Sequence, residues 1–272
     1  MPETHQSVIA ADGVRLALTM SGPVDAEPLL LIPGLGAAAS VFDPIRPSLD
    51  SRYRTVVYDP RGVGASASGE STLTMDLMVS DVAAVLDGAE LSSAHVMGAS
   101  MGGVVAQYFV LEHPDRVARL MLAATSPGGR KPVGADPRAT AALLGKGARS
   151  PEEAYRMACT VLYSPQFQRT HSEFIEQQIR WRGTHPVRPR VFSAQLAALS
   201  AAPDITARLA QVRASTLVMH GSEDAVTPIE NARLLAASIP GARTRWFEDC
   251  GHLFFHERPE ETARVMHEFL RD

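Results

Sequence analysis

Leu29-Leu30-Leu31-Ile32 is apolar at four consecutive positions and ends at once in Pro33-Gly34-Leu35-Gly36. A run that short cannot make a helix; it predicts a strand buried on both faces. Strand-like runs recur at 55–58, 94–97, 120–123, 216–219 and 243–247. Between them the apolar positions change to helical spacing, as at Leu77, Met78, Val82, Val85 and Leu86. This predicts helices over 74–86, 101–113, 229–238 and 259–271. At the start, two β-prone runs at 7–10 and 14–20 flank Ala11-Asp12-Gly13, a turn signal that favours an antiparallel hairpin.

Strands alternating with helices across short connections predict an α/β fold, a mostly parallel, doubly wound sheet covered on both faces. The alternation breaks between Gly128 and Pro203. Strand patterns vanish there and helical ones replace them, for example over 152–163 and 167–181, punctuated by prolines at 132, 137, 151, 165, 186 and 189. The expected organisation is therefore a core of residues 1–127 and 204–272 with an inserted helical cap at 128–203.

Composition narrows the partners. The chain has 272 residues, 45% of them hydrophobic, enough for one large buried core. A net charge of −4 gives no reason to expect nucleic acid or an anionic membrane surface as partner. Cys159 and Cys250 supply neither a disulfide framework nor metal-ligand spacing. Residues 1–13 lack a basic stretch followed by an apolar one, and no apolar run reaches the roughly 18 residues that span a bilayer. The expected location is cytoplasmic. The charge is uneven, however. Residues 128–203 carry eleven Lys and Arg against five Asp and Glu, a net +6 that leaves −10 for the rest. The densest basic group is Arg180, Arg182, Arg188 and Arg190 around Trp181, where an anionic substrate group would be attracted.

The chemistry centres on Gly98-Ala99-Ser100-Met101-Gly102-Gly103, between a predicted strand and an apolar helix. A side chain held at the apex of such a turn needs neighbours without bulk, which Gly98 and Gly102 supply, while Gly103 lets the helix approach the sheet. The first helical N–H groups are unpaired there, so that of Met101 points where a negatively charged oxygen would sit. A serine hydroxyl needs a base, and the base needs an acid to fix its tautomer. Loops at the C-terminal ends of parallel strands meet on one edge. Asp224 follows the strand at 216–219 and His252 follows the one at 243–247, giving the order Ser100, Asp224, His252.

With these residues the chain resembles an α/β-hydrolase-fold protein over nearly its whole length. Gly98 to Gly103 resembles the family's nucleophile elbow, Asp59-Pro60-Arg61-Gly62-Val63-Gly64 the loop after its fourth strand, and Gly221-Ser222-Glu223-Asp224 and Gly251-His252 its acid and base loops. The resemblance implies Ser100 as nucleophile, His252 as general base and Asp224 as orienting acid. It also implies a second oxyanion donor, the N–H of Leu35, beside that of Met101. Two departures stand out. Many members have His in place of Pro33, and His commonly stands in place of Ala99; both changes open space and remove a polar group.

The expected reaction is hydrolysis of a small-molecule carboxylic ester or lactone through an acyl-enzyme, with no metal or organic cofactor implied. A serine rather than an aspartate at position 100 argues against the dehalogenase and epoxide-hydrolase branches. Alternatives are a C–C bond hydrolase, a peracid-forming or lyase member of the same fold, or a non-catalytic ligand-binding protein. Asp59 and Arg61 are expected to hold their loop, His95 and His220 to be satisfied core histidines, and Cys250 to pack in its turn. Tyr155, Met157, Leu162, Phe174, Ile175, Phe192 and Leu196 are candidates for lining a pocket or fixing the cap helices.

Overall fold

The computed structural model describes residues 3–129 and 133–271. Arg130, Lys131 and Pro132 of the expected cap lie outside the described residues. Among those described, the strands are β1 (Thr4–Ile9), β2 (Arg15–Ser21), β3 (Pro28–Ile32), β4 (Arg54–Tyr58), β5 (Ala94–Ala99), β6 (Val117–Ala123), β7 (Ser215–Gly221) and β8 (Arg243–Phe247). They form one sheet in the order β1-β2-β4-β3-β5-β6-β7-β8. β1 and β2 are the expected hairpin, and β2 pairs antiparallel with β4; all other pairs are parallel. At the hairpin tip Gly13 adopts φ +83°, and Ala10 and Val14 close the turn with a 2.8 Å hydrogen bond.

The helices are α1 (Arg46–Leu49), α2 (Met75–Gly88), α3 (Met101–Glu112), α4 (Pro137–Leu143), α5 (Pro151–Leu162), α6 (Pro165–Thr170), α7 (Ser172–Thr184), α8 (Pro189–Ala201), α9 (Ile229–Ser238), α10 (Phe254–Glu257) and α11 (Pro259–Arg271). Period-two alternation in the strands builds two core layers. Leu30, Ile32, Val56, Val96, Leu122 and Val218 face α2, α3 and α9. Leu29, Leu31, Val57, Met97, Met121 and Leu217 face α1, α10 and α11. Each such side chain, fully buried, stabilises the fold by roughly 1.5–3 kcal/mol. Helix α3 is buried on nearly every face, hence its unbroken run of small and apolar residues.

The chain passes from β3 to β4 on one side and from β4 back across to β5 on the other. The loops that follow β3 and β5 therefore diverge, leaving a crevice at their C-terminal ends. Among the described residues between β6 and β7 there is no strand, and α4 to α8 lie there instead. One expectation fails in detail. The helix expected over 167–181 is two helices, broken at His171, whose φ and ψ are −127° and 36°. Ser164 caps α6 through the N–H of Phe167, and the Thr170 hydroxyl donates to the Gln166 carbonyl. The cluster Thr170-His171-Ser172 thus offers the backbone local partners that compete with helix continuation.

Candidate active site

Ser100 sits between β5 and α3 with φ 54° and ψ −120°, a conformation costly for a residue with a Cβ. The neighbouring glycines make it possible. A Cβ on Gly98 would overlap the Gly102 carbonyl, and one on Gly102 would overlap the Ile32 carbonyl. On Gly34 a Cβ would come within 3.1 Å of the Ser100 Cβ, so the loop after β3 lies directly against the serine. The Ser100 N–H donates to the Ala123 carbonyl at 2.9 Å, and the Thr125 hydroxyl donates to the Ser100 carbonyl at 2.7 Å. A serine at a helix N-cap normally spends its hydroxyl on the first N–H groups. Here the turn prevents that: Ser100 makes no side-chain cap. Among the described residues, the N–H groups of Met101 and Leu35 likewise find no acceptor.

His252, in the loop after β8, meets Asp224, in the loop after β7, with Nδ1 and Oδ2 2.7 Å apart. A carboxylate only accepts, so the proton lies on Nδ1 and the Nε2 lone pair is left free. Asp224 is buried and fully occupied. Its Oδ1 accepts from the N–H groups of Val226 and Thr227 at 2.9 and 2.7 Å. Its Oδ2 also has His220 Nε2 at 3.1 Å. Burial alone would push this carboxyl up, but charge on His252 and hydrogen bonds from both histidines outweigh it and hold the group below the usual carboxylate range.

His220 corrects a sequence expectation. It is completely buried, but it is not merely a satisfied core histidine. Its Nε2–H is shared between the Thr227 carbonyl at 2.7 Å and Asp224. Nδ1 has no partner among the described residues. Asp59 accepts from the N–H groups of Ala39 and Ala65, both at 2.9 Å, and fixes its loop. Arg61 forks onto Asp81 and Asp12. His95 faces Glu27 at 3.5 Å, with Nδ1 unpartnered among the described residues. Cys250 is buried, and burial pushes its thiol up to about 12, which fits packing rather than reactivity.

Ser100 and His252 border one cavity of about 440 Å³. Of the candidate lining residues, Tyr155, Leu162, Phe192 and Leu196 face it, while Phe174 and Ile175 pack into the core beneath and Met157 is not on the wall. Arg182 and Trp181 reach it; Arg180, Arg188 and Arg190 do not. A second cavity of about 230 Å³, with Thr125, Ser126, Ser200 and Thr227 on its wall, also borders Ser100. Among the described residues no group of three His, Cys, Asp or Glu side chains is arranged to hold a metal ion.

Two contacts on the loop after β3 had no sequence signal. Gln195 of α8 accepts the Gly36 N–H at 2.8 Å, and Arg182 of α7 donates to the Gly36 carbonyl. The loop that carries Leu35 is therefore gripped at one residue by two helices far away in sequence.

Comparison with known proteins places this arrangement in context. A profile described as "Alpha/beta hydrolase family" matches residues 29–265. The 2-hydroxy-6-oxo-6-phenylhexa-2,4-dienoate hydrolase of Comamonas testosteroni is 29% identical, over 88% of this chain and 84% of its own. Among solved structures, a thermophilic esterase from Thermogutta terrifontis is 27% identical with a TM-score of 0.84, covering 98% of both chains. Est816, described as an N-acyl homoserine lactone degrading enzyme, is 26% identical with a TM-score of 0.82, covering 97% of this chain and all of the other.

Proposed function

The chain belongs to the alpha/beta hydrolase family, and from that premise we propose that it is a serine hydrolase of carboxylic esters or lactones, with residues 128–203 as its cap. One observation carries the reading: a strained, uncapped Ser100 shares a cavity with a His252 whose free nitrogen is set by the 2.7 Å contact to buried Asp224. In the proposed reaction the Ser100 Oγ attacks the carbonyl carbon while His252 Nε2 takes its proton. The N–H groups of Leu35 and Met101 hold the tetrahedral oxyanion. His252 then returns the proton to the leaving alcohol, and a water activated by the same nitrogen releases the acid. The likeness to an esterase and to a lactone-degrading enzyme, each over nearly the whole chain, supports the choice of substrate bond.

Initial rates on 4-nitrophenyl esters and lactones of increasing acyl length test this, with Ser100→Ala as control. Wild type should show a burst of 4-nitrophenol and the variant should lose it. Wild-type turnover persisting in Ser100→Ala would remove Ser100 from the role. Cleavage of a carbon–carbon bond is the second reading, favoured by the likeness to the dienoate hydrolase. Turnover of a 2-hydroxy-6-oxo-dienoate without any ester turnover would select it.

A further inference from the structure

The wall of the larger cavity is apolar but for a few groups, and among the described residues it contains a single permanent charge, Arg182, with no Asp or Glu on it. That arginine is half-buried and held in place from two sides. Its guanidinium lies over the Tyr155 ring, 5.2 Å from the centroid, and donates one N–H to the Gly36 carbonyl. Among the described residues it makes no ion pair. Other cap arginines do pair, as Arg156 does with Glu176 and Arg149 with Glu153. The ionisable groups nearest Arg182 do not neutralise it. Burial pushes both the Tyr155 hydroxyl and the Cys159 thiol up to about 12, so each is neutral at neutral pH. Burial correspondingly pulls the guanidinium down from its usual value. A desolvated, unpaired cation is costly, and what offsets it in other sites is an anion.

We propose that Arg182 is the carboxylate-binding group of a substrate-specificity subsite, so that the preferred ester or lactone carries a free carboxylate a few bonds from the carbonyl that is cleaved. The inference rests on Ser100 being the nucleophile. The fork shape of the remaining guanidinium donors suits a planar carboxylate, and Gln178, one helical turn earlier on the same face of α7, adds a polar side chain to the same wall. The spacing follows from the loop after β3. Ser100 lies against Gly34 and Arg182 donates to the Gly36 carbonyl, two residues on in a turn that the Ala37 N–H closes onto the Gly34 carbonyl at 3.1 Å, so both recognition points sit on one short loop. Recognition points that close in the fold suit half-esters of short dicarboxylic acids.

The test compares mono-4-nitrophenyl esters of succinate, glutarate and adipate with neutral 4-nitrophenyl butyrate and hexanoate, in wild type, Arg182→Gln and Arg182→Lys. The readout is the ratio of kcat/KM for the anionic ester to that for the neutral one. Wild type should favour the anionic member, and Arg182→Gln should lower the ratio roughly 10- to 100-fold, chiefly through KM, as expected for loss of a charged hydrogen bond. Arg182→Lys should restore part of it. Equal losses on both ester classes would make Arg182 a support for the Gly36 loop alone and overturn the proposal. Calorimetric titration of Ser100→Ala with adipate reads the subsite without turnover. Binding that disappears in Ser100→Ala/Arg182→Gln supports the proposal; no binding by Ser100→Ala, or binding unaltered by the second substitution, overturns it. If no ester is turned over while adipate still binds through Arg182, the hydrolytic reading alone fails.

Discussion

At the scale of residues, the two oxygens of Asp224 do separate work. Oδ1 is tied to its own loop by two backbone N–H groups, and Oδ2 is shared between His252 and His220. Replacing Asp224 by Asn would present an amide to Nδ1 and favour the tautomer with the proton on Nε2. The expected loss in kcat is on the order of 10⁴, measured on whichever ester the wild type cleaves best. His220→Leu keeps the buried volume and removes one donor to Oδ2; kcat should fall about tenfold, the scale of one hydrogen bond. An unchanged kcat would make His220 a packing residue. Ser100, Asp224 and His252 were legible in the sequence because glycine spacing and strand-end position are local signals. His220 was not, since the carbonyl and carboxylate its Nε2 meets are set by how the loop after β7 turns. The same holds for Arg182 against Arg180: helical spacing shows that they point differently, but only packing decides which of the two faces the cavity.

At the scale of elements, one buried carboxylate helps to tie the inserted helices to the loop after β8, beside the Leu253 N–H, which donates to the Leu162 carbonyl at 2.9 Å. Glu257 of α10 accepts from the Ser164 N–H and hydroxyl at 2.8 and 2.6 Å and from the Gly251 N–H at 2.9 Å. One carboxylate thus joins the N-cap of α6 to the residue before His252. Glu257→Ala leaves these donors unsatisfied in the interior and should cost about 3 kcal/mol, read as a lower urea midpoint; a cost below about 1 kcal/mol would show that water or a shifted loop replaces it. The sheet itself was readable as a succession of short apolar runs, and α2, α3, α9 and α11 from their spacing. The break at His171 was not, because hydroxyl-rich positions are compatible with a helix until tertiary contacts choose. At the bend, Phe167 stacks on His171 with ring centroids 4.2 Å apart.

At the scale of the whole molecule, buried neutral histidines set the response to acid. His256 donates from Nε2 to the Val41 carbonyl and accepts the Tyr163 hydroxyl at Nδ1, and burial pushes it down to about 4. His95 and His267 are also lowered, again chiefly by burial. In the unfolded chain each titrates near 6.5. Below that pH the unfolded state binds more protons than the folded one, so stability falls with pH from about 6.5 down to about 4. For His256 alone the loss at pH 5 is about 2 kcal/mol. Urea unfolding at pH 7.5 and 5.0 should show it; equal stabilities would mean that the folded protein accommodates the imidazolium. A different property of the whole follows from the seam between β6 and β7. These strands are parallel neighbours, with Arg119 opposite Ser215 and Ala123 opposite Met219, so the chain leaves the sheet at one edge after Ala123 and rejoins it at the other edge at Ser215, one strand over. Any segment that crosses back from the end of one strand to the start of its neighbour, about 4.8 Å to the side, would fit that seam. On the proposed function, bond breaking and substrate preference are therefore separable inheritances: one cassette can be traded for another while the strands that carry Ser100, Asp224 and His252 stay as they are.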